Sequence, residues 1–388
     1  MTSRLDHLAC ARCDLRFDAA GLHTRCPCGG TLLARYDFVG LTRGDLGAPS
    51  EGLWRYHPML PLSGAPVSLG EVRTPLMPLP TMSERWGVEA YLKDDGLLPT
   101  GTFKARGAAV GVSRAKELGA ETLVMPSAGN AGGAWAFYAA RAGIPITVTM
   151  ARSAPLNNQR EVTLAGGRLE LVDGTIADAG RRAAAISGET GAFLAATFGE
   201  PYRVEGKKTA WLEVFDQLGD GNGMRFPGTI VLPVGGGVAA AAAAKAAEEV
   251  STIGWTEDDP ARLVGVQSED CAPITRAFEA GDLAPEPWAK GPATIAAGLR
   301  VPAPSEGDLV LDRVRASGGS MLAVSDEDVR GAVRELASAE GIFVCPEGAT
   351  TVVAATVLAA RGELASPVVL YNTGTGLKYL DVLDRDPL

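Results

Sequence analysis

The chain has 388 residues, 46% of them hydrophobic and 21% charged, which describes an ordinary globular protein with length for two or three domains. A formal charge of −10 argues against nonspecific nucleic-acid binding, which needs clustered cations. No apolar run is long enough to span a bilayer and the polar N-terminus lacks a signal-peptide core, so a cytoplasmic protein with neither nucleic-acid nor membrane partners is expected.

Four of the six cysteines, Cys10, Cys13, Cys26 and Cys28, crowd the first thirty residues. Their spacing is C-x2-C, twelve residues, then C-x-C followed by Gly29-Gly30. Reducing conditions disfavour disulfides, so this pattern reads as a structural zinc ribbon, with His7 or His23 as candidate substitutes for one thiolate and free or redox thiols as the alternative. Cys271 and Cys345 stand in apolar sequence and read as buried fillers.

Residues 31–80 are rich in Pro and Gly and read as a connector with short extended pieces, one of them at 52–56. From 88 onward strand and helix patterns alternate: 88–92, 103–118, 122–126, 132–142 and 144–150, then 169–172 with 176–187. Further along come 230–234 with 238–250, a strand at 263–267, a helix at 326–339, and a last pair at 349–360 and 367–370. Repeated βα units imply parallel sheets covered by helices. Residues 252–262 and 281–308 read as long loops.

Three short segments follow apolar strands: Ser127-Ala128-Gly129-Asn130, Gly235-Gly236-Gly237 and Thr373-Gly374-Thr375-Gly376. The first two open Ala-rich helices, and a helix start after a glycine turn exposes backbone N–H groups that bind anions. The triple glycine leaves a phosphate unobstructed access to those groups, although such a run alone is more often a flexible turn. Ser127 to Asn130 offers a hydroxyl, a backbone nest and an amide, suited to a carboxylate beside a ring hydroxyl. Thr373 follows a buried strand and needs a partner, which a pyridine nitrogen or a structural turn would supply. Lys104 lies in the first turn of a helix, where the dipole depresses its pKa and favours Schiff-base chemistry. The alternative is a surface lysine, which is electrostatically unfavourable at a helix start.

Together with Leu92-Lys93-Asp94-Asp95, Arg203-Val204-Glu205-Gly206-Lys207-Lys208-Thr209 and Asn372 to Lys378, these motifs resemble the threonine synthase family over roughly residues 50 to 380. The cysteine segment resembles the zinc-ribbon leader of many members. The resemblance implies a fold-type II pyridoxal-phosphate enzyme: two open, twisted, mostly parallel α/β sheets with helices on both faces. It further implies a leader at 1–40, a large cofactor-binding domain of 41–105 and 201–388, and a small mobile domain of 106–200, in a homodimer. Lys104 would be the catalytic, Schiff-base lysine. Asn130 would bond the ring hydroxyl, Gly235, Gly236, Gly237, Val238 and Ala239 would cradle the cofactor phosphate, and Thr373 would face the pyridine nitrogen. Ser127 with the Ala128 and Gly129 amides would hold the carboxylate of an amino-acid substrate, and Thr102 and Asn130 would join that set. The family converts O-phosphohomoserine and water to threonine and phosphate, so a phosphate dianion needs nearby cations; Arg160, Lys207 and Lys208 are the candidates, with Arg152 behind them.

The chain departs from the family pattern at Val72, Ala105, Ala239 and Thr375. Ala105 favours a threonine or serine dehydratase, or a β-replacement enzyme resembling cysteate synthase, on the same scaffold. The cysteine leader and Lys207-Lys208 favour the synthase. A nucleic-acid-binding zinc-ribbon protein with a catalytically dead α/β body is a third reading, disfavoured by the acidic charge and the intact Lys104.

Overall fold

The computed structural model describes residues 3–221, 223–289, 291 and 293–383, and the chain divides into two compact units. The first comprises 1–73 and 104–209, the second 74–103 and 210–388.

The chain opens with β1 (Leu5–Cys10), β2 (Arg16–Asp18) and β3 (Leu32–Tyr36). Next come β4 (Leu76–Pro78), α1 (Pro80–Trp86), β5 (Ala90–Asp94) and α2 (Lys104–Glu117). A run of βα pairs follows: β6 (Leu123–Pro126) with α3 (Asn130–Ala142), β7 (Ile146–Ala151) with α4 (Leu156–Leu164), and β8 (Arg168–Val172) with α5 (Ile176–Thr190). The short β9 (Phe193–Leu194) leads into the long α6 (Tyr202–Leu218). Beyond it lie β10 (Thr229–Pro233), α7 (Val238–Ile253), β11 (Arg262–Ser268), α8 (Pro273–Ala280) and α9 (Gly307–Ala316). The last elements are β12 (Ser320–Val324), α10 (Asp326–Glu340), α11 (Pro346–Ala360), β13 (Val368–Asn372) and α12 (Leu380–Leu383).

In the first unit β8-β7-β6-β9 form a wholly parallel sheet and β2-β1-β3 a small antiparallel one. In the second, β12-β11-β10-β13-β5-β4 form a sheet that is parallel except at its β4 edge. Its central strands β10 and β13 are buried along their whole length, as parallel strands covered on both faces must be. The expected α/β architecture with two mostly parallel sheets is therefore present.

Three local expectations are corrected. Residues 52–56 are not extended: Pro49–Met59 forms 3-10 turns, started by Pro49 and by Glu51 accepting from the Ala48 N–H at 2.7 Å. The stretch 281–308 carries a 3-10 turn, Ala297–Leu299, and runs into α9. Helix α6 escaped detection because 202–216 are buried on every side, which erases the amphipathic period.

Residues 41–73 and 201–209 group with 104–200, whereas the motif pattern placed them in the large domain. Hydrogen bonds explain the grouping. Lys208 Nζ donates to the Met59 carbonyl at 2.8 Å, Tyr36 OH to Glu205 at 2.8 Å, Arg114 to the Ala19 carbonyl at 2.7 Å, and the Val67 N–H to Ser113 at 2.8 Å.

Helices α2 and α6 approach backbone to backbone. A methyl group on Gly206 would lie 2.0 Å from the Arg106 carbonyl oxygen, and one on Gly107 would lie 3.2 Å from Arg203 Cβ. Helix propensity alone favours Gly206→Ala by about 1 kcal/mol, but the overpacked crossing costs about 1–3 kcal/mol. The crossing should win, so Gly206→Ala is expected to unfold at lower urea concentration than the parent; an equal or higher midpoint would show that the two helices can separate freely.

Candidate active site

Within the first unit, Lys104 is half-buried and opens α2, immediately after the boundary that falls between Phe103 and itself. The tight α2–α6 crossing brings Lys207 into its field. Lys207 is buried, and burial first, then the Lys104 and Arg203 charges, hold its pKa well below the usual lysine range, while Glu200 opposes them. Arg203 is committed to Glu200, to Thr197 at 3.1 Å and to the Trp135 ring, 5.0 Å from its centroid. Lys208 is committed too. Its ammonium donates to Glu205 at 2.6 Å and to Met59, and lies 4.3 Å from the Tyr36 ring centroid. The expected Lys207-Lys208 pair thus separates into one buried lysine that feels the Lys104 charge and one that fastens α6 to the N-terminal segment.

Asn130 is the first residue of α3, and its Oδ1 accepts from Asn158 Nδ2 at 2.8 Å. The same Asn158 amide donates to Glu161 at 3.1 Å. Arg160, between them in sequence, is exposed, as is Arg152, which pairs with Asp173 at 2.8 Å. The Asn157-to-Glu161 segment therefore reaches Asn130 through amides rather than through its arginine. Ser127 is buried, and its hydroxyl accepts from the Gly129 and Gly132 N–H groups at 3.1 and 2.9 Å. It pins the Ala128-Gly129 turn at the start of α3.

In the second unit the triple glycine joins β10 to α7. Gly237 sits at φ 82°, and a methyl group there would lie 2.1 Å from Val310, so only glycine fits. A methyl on Gly235 would lie 2.3 Å from the Gly298 carbonyl oxygen. Val238 and Ala239 begin α7 with no acidic side chain in its first turn, leaving the N-terminal N–H groups to an anion.

Thr373 follows β13. Its backbone carbonyl accepts from the Phe103 N–H at 2.9 Å, and its buried hydroxyl meets the Cys345 thiol at 3.5 Å. Thr102 bridges to Gly374, and its buried Oγ1 has no hydrogen-bond partner among the described residues. The strand ends are fixed by a buried network. Lys93 Nζ donates to Glu213 at 2.7 Å, to the Thr74 carbonyl at 2.7 Å and to Gln217 at 2.9 Å. Thr74 Oγ1 donates to Asp95 at 2.8 Å, and Tyr371 OH reaches the other Asp95 oxygen at 2.6 Å. Asn372 donates to Asp94 at 2.7 Å. Burial pushes the Asp94 carboxyl up, against the Gly96 N–H and the Asn372 amide.

Cys345 and Glu347 were not singled out from the sequence as site residues. Cys345 caps α11, its thiol accepting from the Gly348 N–H at 3.3 Å. Glu347 Oε1 accepts from the Gly298 N–H at 2.7 Å. In sequence, Cys-Pro-Glu resembles any helix start with Pro at the first position and an acid in the first turn, so nothing marked it. Cys271 is fully buried, as expected of a filler.

The four N-terminal cysteines converge. Their sulfurs lie within 4.8 Å of one another, with Cys10–Cys28 at 3.4 Å, Cys13–Cys28 at 3.5 Å and Cys13–Cys26 at 3.6 Å. Tetrahedral Zn–S bonds of about 2.3 Å place sulfurs about 3.8 Å apart, so the donor set fits zinc. The Gly30 N–H and then the neighbouring thiols lower the Cys28 thiol to about 7. His23 instead contacts the Asp18 carbonyl at 2.9 Å and His7 contacts Asp6 at 2.8 Å, so neither belongs to the cluster.

Residues 67–374 match the model of the pyridoxal-phosphate dependent enzyme family. The chain is 33% identical to threonine synthase of Methanosarcina acetivorans over 379 residues, covering 96% of this chain and 92% of that protein. The chain belongs to the threonine synthase family of pyridoxal-phosphate-dependent enzymes. It is also 32% identical to threonine synthase of Methanocaldococcus jannaschii over 388 residues, 97% of this chain and 94% of that protein. Among solved structures it resembles a T.th. threonine deaminase, with a TM-score of 0.65 and 29% identity over 78% of this chain and 92% of that one. Maize serine racemase matches with a TM-score of 0.66 and 25% identity, over 78% and 88% of the two chains.

The residues of the chain fit the cofactor this family uses. A helix N-terminus behind a turn that tolerates no Cβ at Gly237 suits a phosphate, and Thr373 offers a buried hydroxyl that meets the Cys345 thiol at 3.5 Å. No helix among the described residues is long and apolar enough to cross a membrane.

The Lys93–Glu213 pair is fully buried on both sides. Lys93→Met should cost about 3–5 kcal/mol because it leaves Glu213 buried and uncompensated, and the double variant Lys93→Met/Glu213→Leu should cost less than the single one. Urea titrations of the three proteins check this ordering; a single variant within about 1 kcal/mol of the parent would mean that the pair behaves as a surface ion pair.

Proposed function

We propose that this protein is a threonine synthase that converts O-phospho-L-homoserine and water to L-threonine and inorganic phosphate. The observation that carries the substrate assignment is the buried Lys207 beside Lys104. Burial and the Lys104 and Arg203 charges favour the neutral amine at Lys207, and a phosphate dianion beside it would favour its protonated form, so anion binding there is coupled to proton uptake. Two archaeal relatives named threonine synthase, aligned over nearly the whole chain, support the same reading.

Bound pyridoxal phosphate would supply the electron sink for charge developing on the substrate carbons. Lys104 would hold the cofactor, and its Nζ would be the acid–base group along the substrate chain. Asn130, held by Asn158, would bond the ring hydroxyl, and Thr373 would serve the ring nitrogen. Gly235, Gly236 and Gly237 with Val238 and Ala239 would receive the cofactor phosphate. Ser127 shapes the Ala128-Gly129 turn for the substrate carboxylate, with Thr102 Oγ1 as a further donor. Arg160, exposed on α4, would act only as a peripheral cation, and Lys208 acts through the fold. The reading includes a homodimer in the cytoplasm, whose reducing milieu leaves the four N-terminal thiols available to a structural zinc.

A dehydratase remains the second reading, favoured by the threonine deaminase likeness and by Ala105, which is fully buried in α2. Incubating the cofactor-loaded protein with O-phospho-L-homoserine separates the two. Phosphate and threonine should appear together, and Lys104→Ala should abolish both along with the bound cofactor's absorbance band. Lys207→Met should raise KM by about 10–100-fold, the equivalent of a lost charge-assisted hydrogen bond of about 1.5–3 kcal/mol. No phosphate release, with 2-oxobutanoate formed from threonine instead, would replace the synthase with the dehydratase.

The purified protein should carry one zinc per chain, and its removal by a chelator should lower the melting temperature. Metal analysis that finds none, with the four N-terminal thiols freely titratable, would assign the cluster to thiol chemistry.

A further inference from the structure

Helix α4 lays two polar side chains against the start of α3. Asn158 and Glu161 are three residues apart and share one face of α4. Glycines make the approach possible. A methyl group on Gly133 would collide with Glu161 Oε2, and one on Gly129 would lie 3.1 Å from Asn158 Oδ1. Asn158 is 6% exposed, and its Nδ2 donates to Glu161 Oε2 at 3.1 Å and to Asn130 Oδ1 at 2.8 Å. All of these residues belong to the first unit. Their contacts have a single polarity. A carboxylate can only accept, so the end of the Asn158 amide that meets Glu161 is its NH2. The same NH2 meets Asn130, so the Asn130 amide turns its oxygen to Asn158 and its Nδ2 to the opposite side. Two amides alone would carry no direction, because each can rotate by half a turn and keep a hydrogen bond. The acceptor-only Glu161 removes that freedom.

We propose that Asn158 and Glu161 are positioning residues that orient the Asn130 amide as a hydrogen-bond donor toward the cofactor's ring oxygen. The inference rests on the cofactor reading of the preceding section. An N–H aimed at that oxygen would stabilise its ionised form, whereas an amide oxygen aimed there would require it to keep its proton. An ionised ring oxygen leaves the proton on the nitrogen that joins the cofactor to Lys104, and a protonated nitrogen makes the adjoining carbon the better electrophile for an incoming amine. Glu161 therefore acts at two removes: it fixes the Asn158 amide, which fixes the Asn130 amide. This gives α4 a role in the site that does not pass through its exposed Arg160.

Absorbance of the full-length protein loaded with pyridoxal phosphate reads the outcome, because the ionised ring oxygen gives the long-wavelength band and the protonated one the short-wavelength band. Asn158→Asp is nearly isosteric but can only accept, so Asn130 should turn its Nδ2 toward position 158. The ratio of long- to short-wavelength band should then fall by about 10-fold or more, the range of one charge-assisted hydrogen bond. Asn158→Ala frees the Asn130 amide without adding a charge and should shift the bands the same way by less. Glu161→Leu separates orientation from field. Loss of a negative charge would by itself favour the ionised oxygen, whereas loss of the orienting acceptor should favour the protonated one. Unchanged bands in Asn158→Asp, or a Glu161→Leu spectrum shifted toward the long-wavelength band, overturns the inference. Lower urea midpoints in these variants with no band shift would overturn it too and leave the pair as packing between α3 and α4. A parent protein that takes up no cofactor fails the functional reading and this inference with it, a distinct outcome.

Discussion

The buried ion pair between Lys93 and Glu213 governs the second unit more than any other contact. Two opposite charges at 0% exposure survive only when every remaining donor is satisfied, and here the Thr74 carbonyl and Gln217 complete the lysine's set. That requirement fixes Thr74, whose hydroxyl holds Asp95, which in turn holds Tyr371. Tyr371 and Asn372 are the last residues of β13, so the position of the next residue, Thr373, is inherited from a charge several bonds away. The six-stranded sheet supplies the frame, and the polar network at its strand ends supplies the register of the groups that face a ligand.

The first unit uses steric closeness instead. Glycines at 107 and 206 let α2 and α6 touch along their backbones, and the arrangement concentrates Lys104, Arg203 and Lys207 with the compensating acid Glu200. Glu200, ion-paired with Arg203, offsets part of that concentration of cations. Lys208 is exempt because Glu205, Met59 and the Tyr36 ring absorb it. Through Tyr36, at the end of β3, the sheet that carries the four cysteines is joined to α6 by the same side chains. Order in the cysteine segment and order in α6 are therefore physically linked within that unit.

Much of the fold was legible because parallel α/β architecture writes itself locally: a buried strand, a glycine turn, an Ala-rich helix, repeated. The cysteine cluster was legible for a similar reason, since C-x2-C and C-x-C turns place sulfurs by short-range geometry, and the four sulfurs do converge. Elements without a local period were not legible. Helix α6 is buried all round, and 49–59 forms 3-10 turns under a Pro and aromatic residues that also suit extended chain.

The sequence by itself determined the family, the fold class and the lysine, glycine and threonine motifs, because each depends on residue types at adjacent positions. Only the tertiary structure decided which of two neighbouring lysines is buried within the field of Lys104 and which is tied to Tyr36 and Met59. It alone showed that Asn158 rather than Arg160 reaches Asn130, and that an unremarked Glu347 lies buried beside Gly298 with an oxygen to spare. The physical reason is common to all three. What a charged or polar side chain does depends on its burial and its partners, and both come from segments distant in sequence.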